Sequence, residues 1–121
     1  MKRIAVVEDN PDNRLLVQAL LEDLYEVDEY ASGWQVVEGF RARRPDVVLL
    51  DISLPGQDGT EVLKVLRSQE DLRDLPVIAL TAHAMAGDRE RYLAEGFDDY
   101  VSKPIVDEEL LLGAIARLLD P

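Results

Sequence analysis

Cysteine is absent from the 121 residues, and histidine occurs once, at His83. The first absence removes disulfides, thiolate nucleophiles and cysteine metal sites. The second removes any multi-histidine zinc centre, including one of the H-E-x-x-H kind. Basic residues are also scarce: 13 Lys+Arg stand against 25 Asp+Glu, a formal net charge of −12. So acidic a chain lacks the clustered positive charge that nucleic-acid phosphates and anionic lipids attract, so direct DNA or RNA binding is not expected. Only Arg41, Arg43 and Arg44 come near to forming a basic patch. Nowhere do the roughly 18 consecutive apolar residues of a membrane-spanning helix occur. The apolar run after Met1-Lys2-Arg3 stops at Glu8, too short for a secretory signal. The expectation is a cytoplasmic protein without membrane insertion. Glycine-rich G-x-x-x-x-G-K-[ST] and G-x-G-x-x-G loops are missing, so nucleotide binding finds no support. There is no Ser/Gly linker, low-complexity segment or solenoid-length repeat.

What is present is enough apolar material for a core. The chain is 47% hydrophobic and 31% charged, which favours one packed domain over residues 1–121. Short, partly β-branched apolar runs stand at Ile4–Val7, Val47–Leu50 and Val77–Leu80, with weaker ones at Val27–Tyr30 and Tyr100–Val101. The three strong runs are continuous rather than alternating, as a parallel strand covered on both faces requires. Helix-length segments lie between them. Residues 12–24 place Leu16, Leu20 and Leu24 on one stripe, with Leu15 and Ala19 beside it and Pro11 suited to the first position. A second helix is predicted from Ser32, with Gln35 completing a capping box. A third starts near Asp58, with Val62, Leu63 and Leu66 facing inward. A fourth covers Met85–Glu95 and stops at Gly96, and a fifth runs from Glu108 to Leu119 behind an Asp107 cap. Trp34 and Phe40 read as packing residues of the second helix. Glu22, Asp23, Glu26, Asp28 and Glu29 read as a solvated face. Five β-α repeats imply an α/β fold: a doubly wound (βα)5 open parallel sheet with right-handed crossovers.

Such sheets bind ligands beyond the carboxyl ends of their strands. The first strand ends in Glu8-Asp9, the third in Asp51, the fourth in Thr81, and the fifth delivers Ser102-Lys103-Pro104. Three carboxylates brought together raise one another's pKa unless a cation compensates them. Oxygen ligands without histidine or cysteine select Mg²⁺, Mn²⁺ or Ca²⁺ over zinc. Mg²⁺ commonly shares its shell with phosphate oxygens, and Lys103 and Thr81 supply the ammonium and hydroxyl that phosphoryl chemistry uses. Asp51, at a central strand end, is the better-placed nucleophile than Asp9.

The segments VVEDNPDNR, DVVLLDISLPGQDG, PVIALTAHAM and GFDDYVSKP, in this order and spacing, resemble the receiver domain of two-component response regulators, the CheY-like, flavodoxin-like fold, over residues 2–119. The resemblance implies strand order 2-1-3-4-5 and phosphorylation of Asp51 by a sensor histidine kinase or a histidine phosphotransfer protein. It implies Mg²⁺ held by Asp9, Asp51 and the Ser53 backbone carbonyl, with Glu8 acting largely through water. It makes Thr81 the switch hydroxyl, Tyr100 the switch aromatic and Lys103 the phosphoryl-binding lysine, with a cis Lys103–Pro104 peptide bond. Ser53 and His83, each two residues after a site residue, fall where the family tunes its dephosphorylation rate. The run Thr81-Ala82-His83-Ala84-Met85 is more similar to receivers of hybrid kinases and stand-alone phosphorelay regulators than to chemotaxis receivers. Output would then pass through a downstream protein target or a phosphorylation-dependent homodimer, and the chain would not be a conventional turnover enzyme.

Other readings stand beside these. Tyr100 is either an ordinary packed aromatic or a rotamer switch, and His83 either a loop residue or a gate to attacking water. Gly56 and Gly59 either shape a turn or also aim the Ser53 carbonyl. The chain as a whole could be a receiver excised from a hybrid kinase or larger regulator, or a phosphorylation-independent binding module. An aspartyl-phosphate phosphatase of the haloacid dehalogenase kind is a further rival. It needs an acid two residues after the nucleophile, where Ser53 stands.

Overall fold

The computed structural model describes residues 1–54, 56–82, 87–103 and 108–119. Five strands, β1 (Arg3–Val7), β2 (Glu26–Tyr30), β3 (Val47–Asp51), β4 (Val77–Thr81) and β5 (Asp99–Ser102), form one sheet in the order β2-β1-β3-β4-β5. Every pairing is parallel. Five helices connect or follow them: α1 (Pro11–Leu21), α2 (Val36–Ala42), α3 (Gly59–Ser68), α4 (Asp88–Glu95) and α5 (Glu108–Leu119). The (βα)5 reading of the sequence is the fold observed. No helix among the described residues is long and apolar enough to cross a membrane.

The continuous apolar runs are explained by two cores, one on each face. Alternate strand residues Ala5, Val7, Val48, Leu50, Val77 and Ala79 pack with Phe40 of α2, Leu63 and Leu66 of α3, and Tyr92 of α4. The intervening residues Ile4, Val6, Val47, Leu49, Ile78 and Leu80 pack with α1 and α5 through Val17, Leu21, Leu111 and Ile115. Period-two alternation therefore assigns each strand residue to one helical layer. It also decides the facing of the polar residues that follow.

Several helix-level expectations need correction. The core face of α1 is Val17 and Leu21, with Leu20 partly packed; Leu15, Leu16 and Leu24 are exposed. Ser32 makes no side-chain cap, and a 3₁₀ turn over Gly33–Gln35 precedes α2, which starts at Val36. Trp34 on that turn is exposed, whereas Phe40 is wholly buried. The acidic face is not simply solvated: Arg3 bonds both Asp28 and Glu26 at 2.7 Å, and Arg14 lies 3.5 Å from Glu29. Paired charge along β2 protects a sheet edge that would otherwise invite further strands. The Met85 start and Asp107 cap lie outside the described residues.

Candidate functional site

The site is built at the carboxyl rim, where strand ends turn polar. Alternation carries the Glu8 side chain with Ile4 and Val6, that of Asp51 with Val47 and Leu49, and that of Lys103 with Val101. All three belong to the α1/α5 side. Glu8 and Asp51 are buried, Asp9 is exposed, and their carboxylate oxygens lie within 4.8 Å of one another. Lys103 Nζ lies 3.0 Å from Asp51 Oδ1 and 3.5 Å from Glu8 Oε2. The Ser53 backbone N–H donates to Asp51 Oδ1 at 3.0 Å. Thus Glu8, Asp9, Asp51, Ser53 and Lys103, separate in sequence, share one pocket rim.

Local structure fixes these positions. Asn10 caps α1, its side chain accepting from the Asp12 and Asn13 backbone N–H groups, with Pro11 at the helix start. That turn aims Asn13, whose amide donates to Glu8 Oε1 at 2.6 Å, and Arg14, which donates to the Glu8 carbonyl at 2.7 Å. At the third strand, Asp58 caps α3 by accepting from the Thr60 N–H. The Gly59 N–H donates to the Ile52 carbonyl at 2.8 Å. A Cβ on Gly59 would overlap the Asp51 carbonyl oxygen, so glycine allows α3 to abut the end of β3. Gly96, at φ 113°, closes α4 in the left-handed conformation.

Burial pushes the Glu8 carboxyl up to about 7, helped by the neighbouring Asp51 carboxylate and opposed by Asn13 and Lys103. For Asp51, burial works against the charge. The bonds with Glu8, the Ser53 N–H and Lys103 outweigh it and hold Asp51 below the usual carboxylate range. In the metal-free chain Asp51 is therefore the more readily ionised member of the pair and Glu8 the less acidic one. The oxygen donors fit a hard divalent cation: they are close together, mostly buried and short of compensating charge.

Thr81 ends β4 and continues the alternation of Val77 and Ala79 into the α4 layer, opposite the face of Asp51. Its hydroxyl is 3.0 Å from the Tyr92 hydroxyl, and its carbonyl accepts from the Lys103 backbone N–H at 2.7 Å. Tyr100 lies half-buried in β5, its ring centroid 6.0 Å from that of Tyr92. On the same strand, Asp99 pairs with Arg89 of α4 at 2.9 Å and Arg117 of α5 at 3.1 Å. His83 and the Lys103–Pro104 bond lie outside the described residues. Sequence reasoning missed Asn13, Arg14 and Tyr92. Asn13 could have been found as the polar residue one turn beyond a strand-end acid, whereas nothing local marks Tyr92 as a partner of Thr81.

Comparison with known proteins agrees with this geometry. The family model described as the response regulator receiver domain matches residues 4–116. The chain is 45% identical over 105 residues to the polar-differentiation response regulator DivK of Brucella ovis, covering 86% of this chain and 85% of that protein. It is 43% identical over 112 residues to the sensor protein GacS of Pseudomonas syringae pv. syringae, covering 89% of this chain. The chain spans only 12% of the length of that sensor protein. Among solved structures, the receiver domain of a sensor histidine kinase from Pseudomonas aeruginosa PAO1, with a magnesium ion coordinated in its active-site cleft, superposes with a TM-score of 0.87. It is 39% identical and is covered over 98% of its length by 99% of this chain.

Proposed function

Because this chain belongs to the response regulator receiver domain family, we propose that it accepts a phosphoryl group on Asp51 from a histidine kinase or a histidine phosphotransfer protein, and that the modification alters its binding to a downstream protein. The observation that carries the reading is the ion pair of Lys103 Nζ with Asp51 Oδ1 at 3.0 Å beside the cluster of Glu8, Asp9 and Asp51. Lys103 and the Ser53 N–H both address Asp51 Oδ1. An Asp51 O–P bond forms as the phosphohistidine P–N bond breaks, and the imidazole leaves with a proton from the donor's side. Lys103 offsets charge on the transferring oxygens, and Thr81 supplies a hydroxyl donor once it faces them.

Glu8, Asp9 and Asp51, with the Ser53 carbonyl, are the groups that would hold Mg²⁺, and Mn²⁺ has the same preference for oxygen donors. Such an ion supplies charge neutralisation of the phosphoryl oxygens. Glu8 would act there as a carboxylate. On this reading the chain is a stoichiometric acceptor that dephosphorylates itself by water attack, with Ser53 and His83 as the rate-tuning positions, and not a turnover enzyme. Tyr100 turning inward after Thr81 would pass the change to the face of α4, β5 and α5. Donors of this kind act in the cytoplasm, and a homodimer through that face is one form the output takes. The short span of the GacS match supports a second setting, in which the same acceptor serves as one module of a larger sensor kinase.

The test is labelling with acetyl phosphate and Mg²⁺ followed by intact-mass measurement. A single phosphoryl adduct is expected on the native chain and none on Asp51→Asn. An adduct retained by Asp51→Asn would overturn the assignment. Partner binding that is the same with and without Asp51 would favour a phosphorylation-independent module.

A further inference from the structure

The Thr81 hydroxyl is engaged on the side away from the acceptor. Tyr92, on α4 and 2% exposed, places its hydroxyl 3.0 Å from Thr81 Oγ1. The same tyrosine oxygen accepts from Arg91 Nη2 at 2.8 Å, and the Arg91 guanidinium also lies 4.7 Å from the ring centroid. Arginine has no acceptor, so Arg91 occupies a lone pair of the tyrosine oxygen and cannot take its proton. The bond between Tyr92 and Thr81 joins two hydroxyls, and either can be its donor. The ring is itself wedged: Phe97 meets it edge-on with centroids 5.9 Å apart, and Tyr100 lies 6.0 Å away.

Strand alternation sets Thr81 and Asp51 on opposite faces of the sheet, so Thr81 reaches a phosphoryl group on Asp51 only by turning toward the rim. Turning takes Oγ1 away from Tyr92 and costs a buried hydroxyl this hydrogen-bond partner, which opposes the movement. We propose that Tyr92 is a positioning residue that holds Thr81 in the unphosphorylated arrangement, so that phosphoryl binding has to break the Thr81–Tyr92 bond and thereby disturbs α4. The inference rests on Asp51 being the acceptor, and it adds a helix residue directly bonded to the switch hydroxyl. Tyr92 is thus a brake on the switch and the point where the switch grips α4.

The probe is beryllium fluoride, a phosphoryl mimic, titrated with Mg²⁺ into the full chain and followed by amide NMR. Tyr92→Phe keeps the ring and removes only the hydroxyl, so it is expected to bind the mimic about 2- to 10-fold more tightly than the native chain, the worth of one hydrogen bond. In a Thr81→Ala background the same change is expected to alter affinity by less than about 1.5-fold, because the partner is already gone. Equal or weaker binding by Tyr92→Phe, or the same gain in the Thr81→Ala background, would overturn the proposal while leaving the acceptor reading intact. In the native chain the Tyr92 ring ¹³C resonance next to the hydroxyl is expected to shift on titration, and an unmoved resonance would equally overturn it. A native chain that ignores the mimic, or an Asp51→Asn chain that responds like the native one, would bring down the acceptor reading and this inference with it.

Discussion

Lys103 Nζ and Asp51 Oδ1, 3.0 Å apart, join the end of the edge strand β5 to the end of the central strand β3 across β4. The lysine is largely sequestered, with 18% of its side chain exposed, so its charge is poorly screened and acts on Asp51 directly. Replacing it separates charge compensation from folding. Lys103→Ala is expected to slow labelling by acetyl phosphate by about 100-fold, the usual effect of losing one preorganised donor. Its melting temperature should stay within about 5 °C of the native value, because no apolar contact of the core is removed. Single-turnover labelling kinetics and a thermal melt measure the two effects; unchanged labelling would contradict the role.

Metal dependence should divide between a ligand and its support. Excess EDTA is expected to abolish labelling. Asp9→Ala removes one of three carboxylates and should weaken Mg²⁺ binding by at least about tenfold. Asn13→Ala leaves all three in place but frees Glu8 Oε1 from its 2.6 Å bond, and a loss of about tenfold is expected from misorientation alone. Mg²⁺ titrations of the three proteins at one pH provide the comparison. Full retention of affinity by Asn13→Ala would show that Glu8 needs no such support.

The raised Glu8 carboxyl gives a signed pH dependence. Between its ordinary value of 4.5 and about 7 the metal-free folded chain holds a proton on Glu8 that the unfolded chain has released. Its contribution to stability is full below 4.5 and is lost as pH rises through 7. Asp51, held below 3.8, acts oppositely: its contribution is present above 3.8 and is lost as pH falls through its lowered value. Urea unfolding in EDTA is therefore expected to show stability lower by roughly 1–3 kcal/mol at pH 8 than at pH 5. Glu8→Gln should remove most of that slope, and native Mg²⁺ affinity should rise between pH 6 and 8. A native affinity independent of pH would refute the raised Glu8 carboxyl.

Gly59→Ala tests the backbone approach behind Asp51. Its Cβ would meet the Asp51 carbonyl oxygen and the Ile52 Cα, neither of which is a movable side-chain end. The start of α3 must retreat, straining the Gly59 N–H bond to Ile52. The expected cost is about 2–3 kcal/mol in urea unfolding, with slower labelling of Asp51. A neutral substitution would mean that α3 does not brace the acceptor.

The strands and the rim residues could be read from the chain because burial on both faces leaves a continuous apolar signature with an abrupt polar end. Asp51 after Val47–Leu50 shows this clearly. The face of α1 could not be read in the same way. Leu16–Leu20–Leu24 and Val17–Leu21 are both apolar rows at four-residue spacing, and only docking against the sheet selects the second. Ser32 had the right residue type for a cap, but the inserted 3₁₀ turn separated it from α2. The bond between Thr81 and Tyr92 depends on how α4 sits over β4 and on two side-chain rotamers, neither of which is encoded in local spacing.

Glu8 and Lys103, whose side chains meet at 3.5 Å, are 95 residues apart in the chain. A partly assembled chain with β1, β3 and β4 paired but β5 undocked would hold the acidic cluster without its counter-charge. Lys103 completes the charge balance only when the edge strand closes. If Asp51 is the acceptor, a molecule whose edge strand has not closed lacks the lysine that compensates it and should label poorly. On that reading, the 95-residue separation ties the charge balance of the site to closure of the sheet edge.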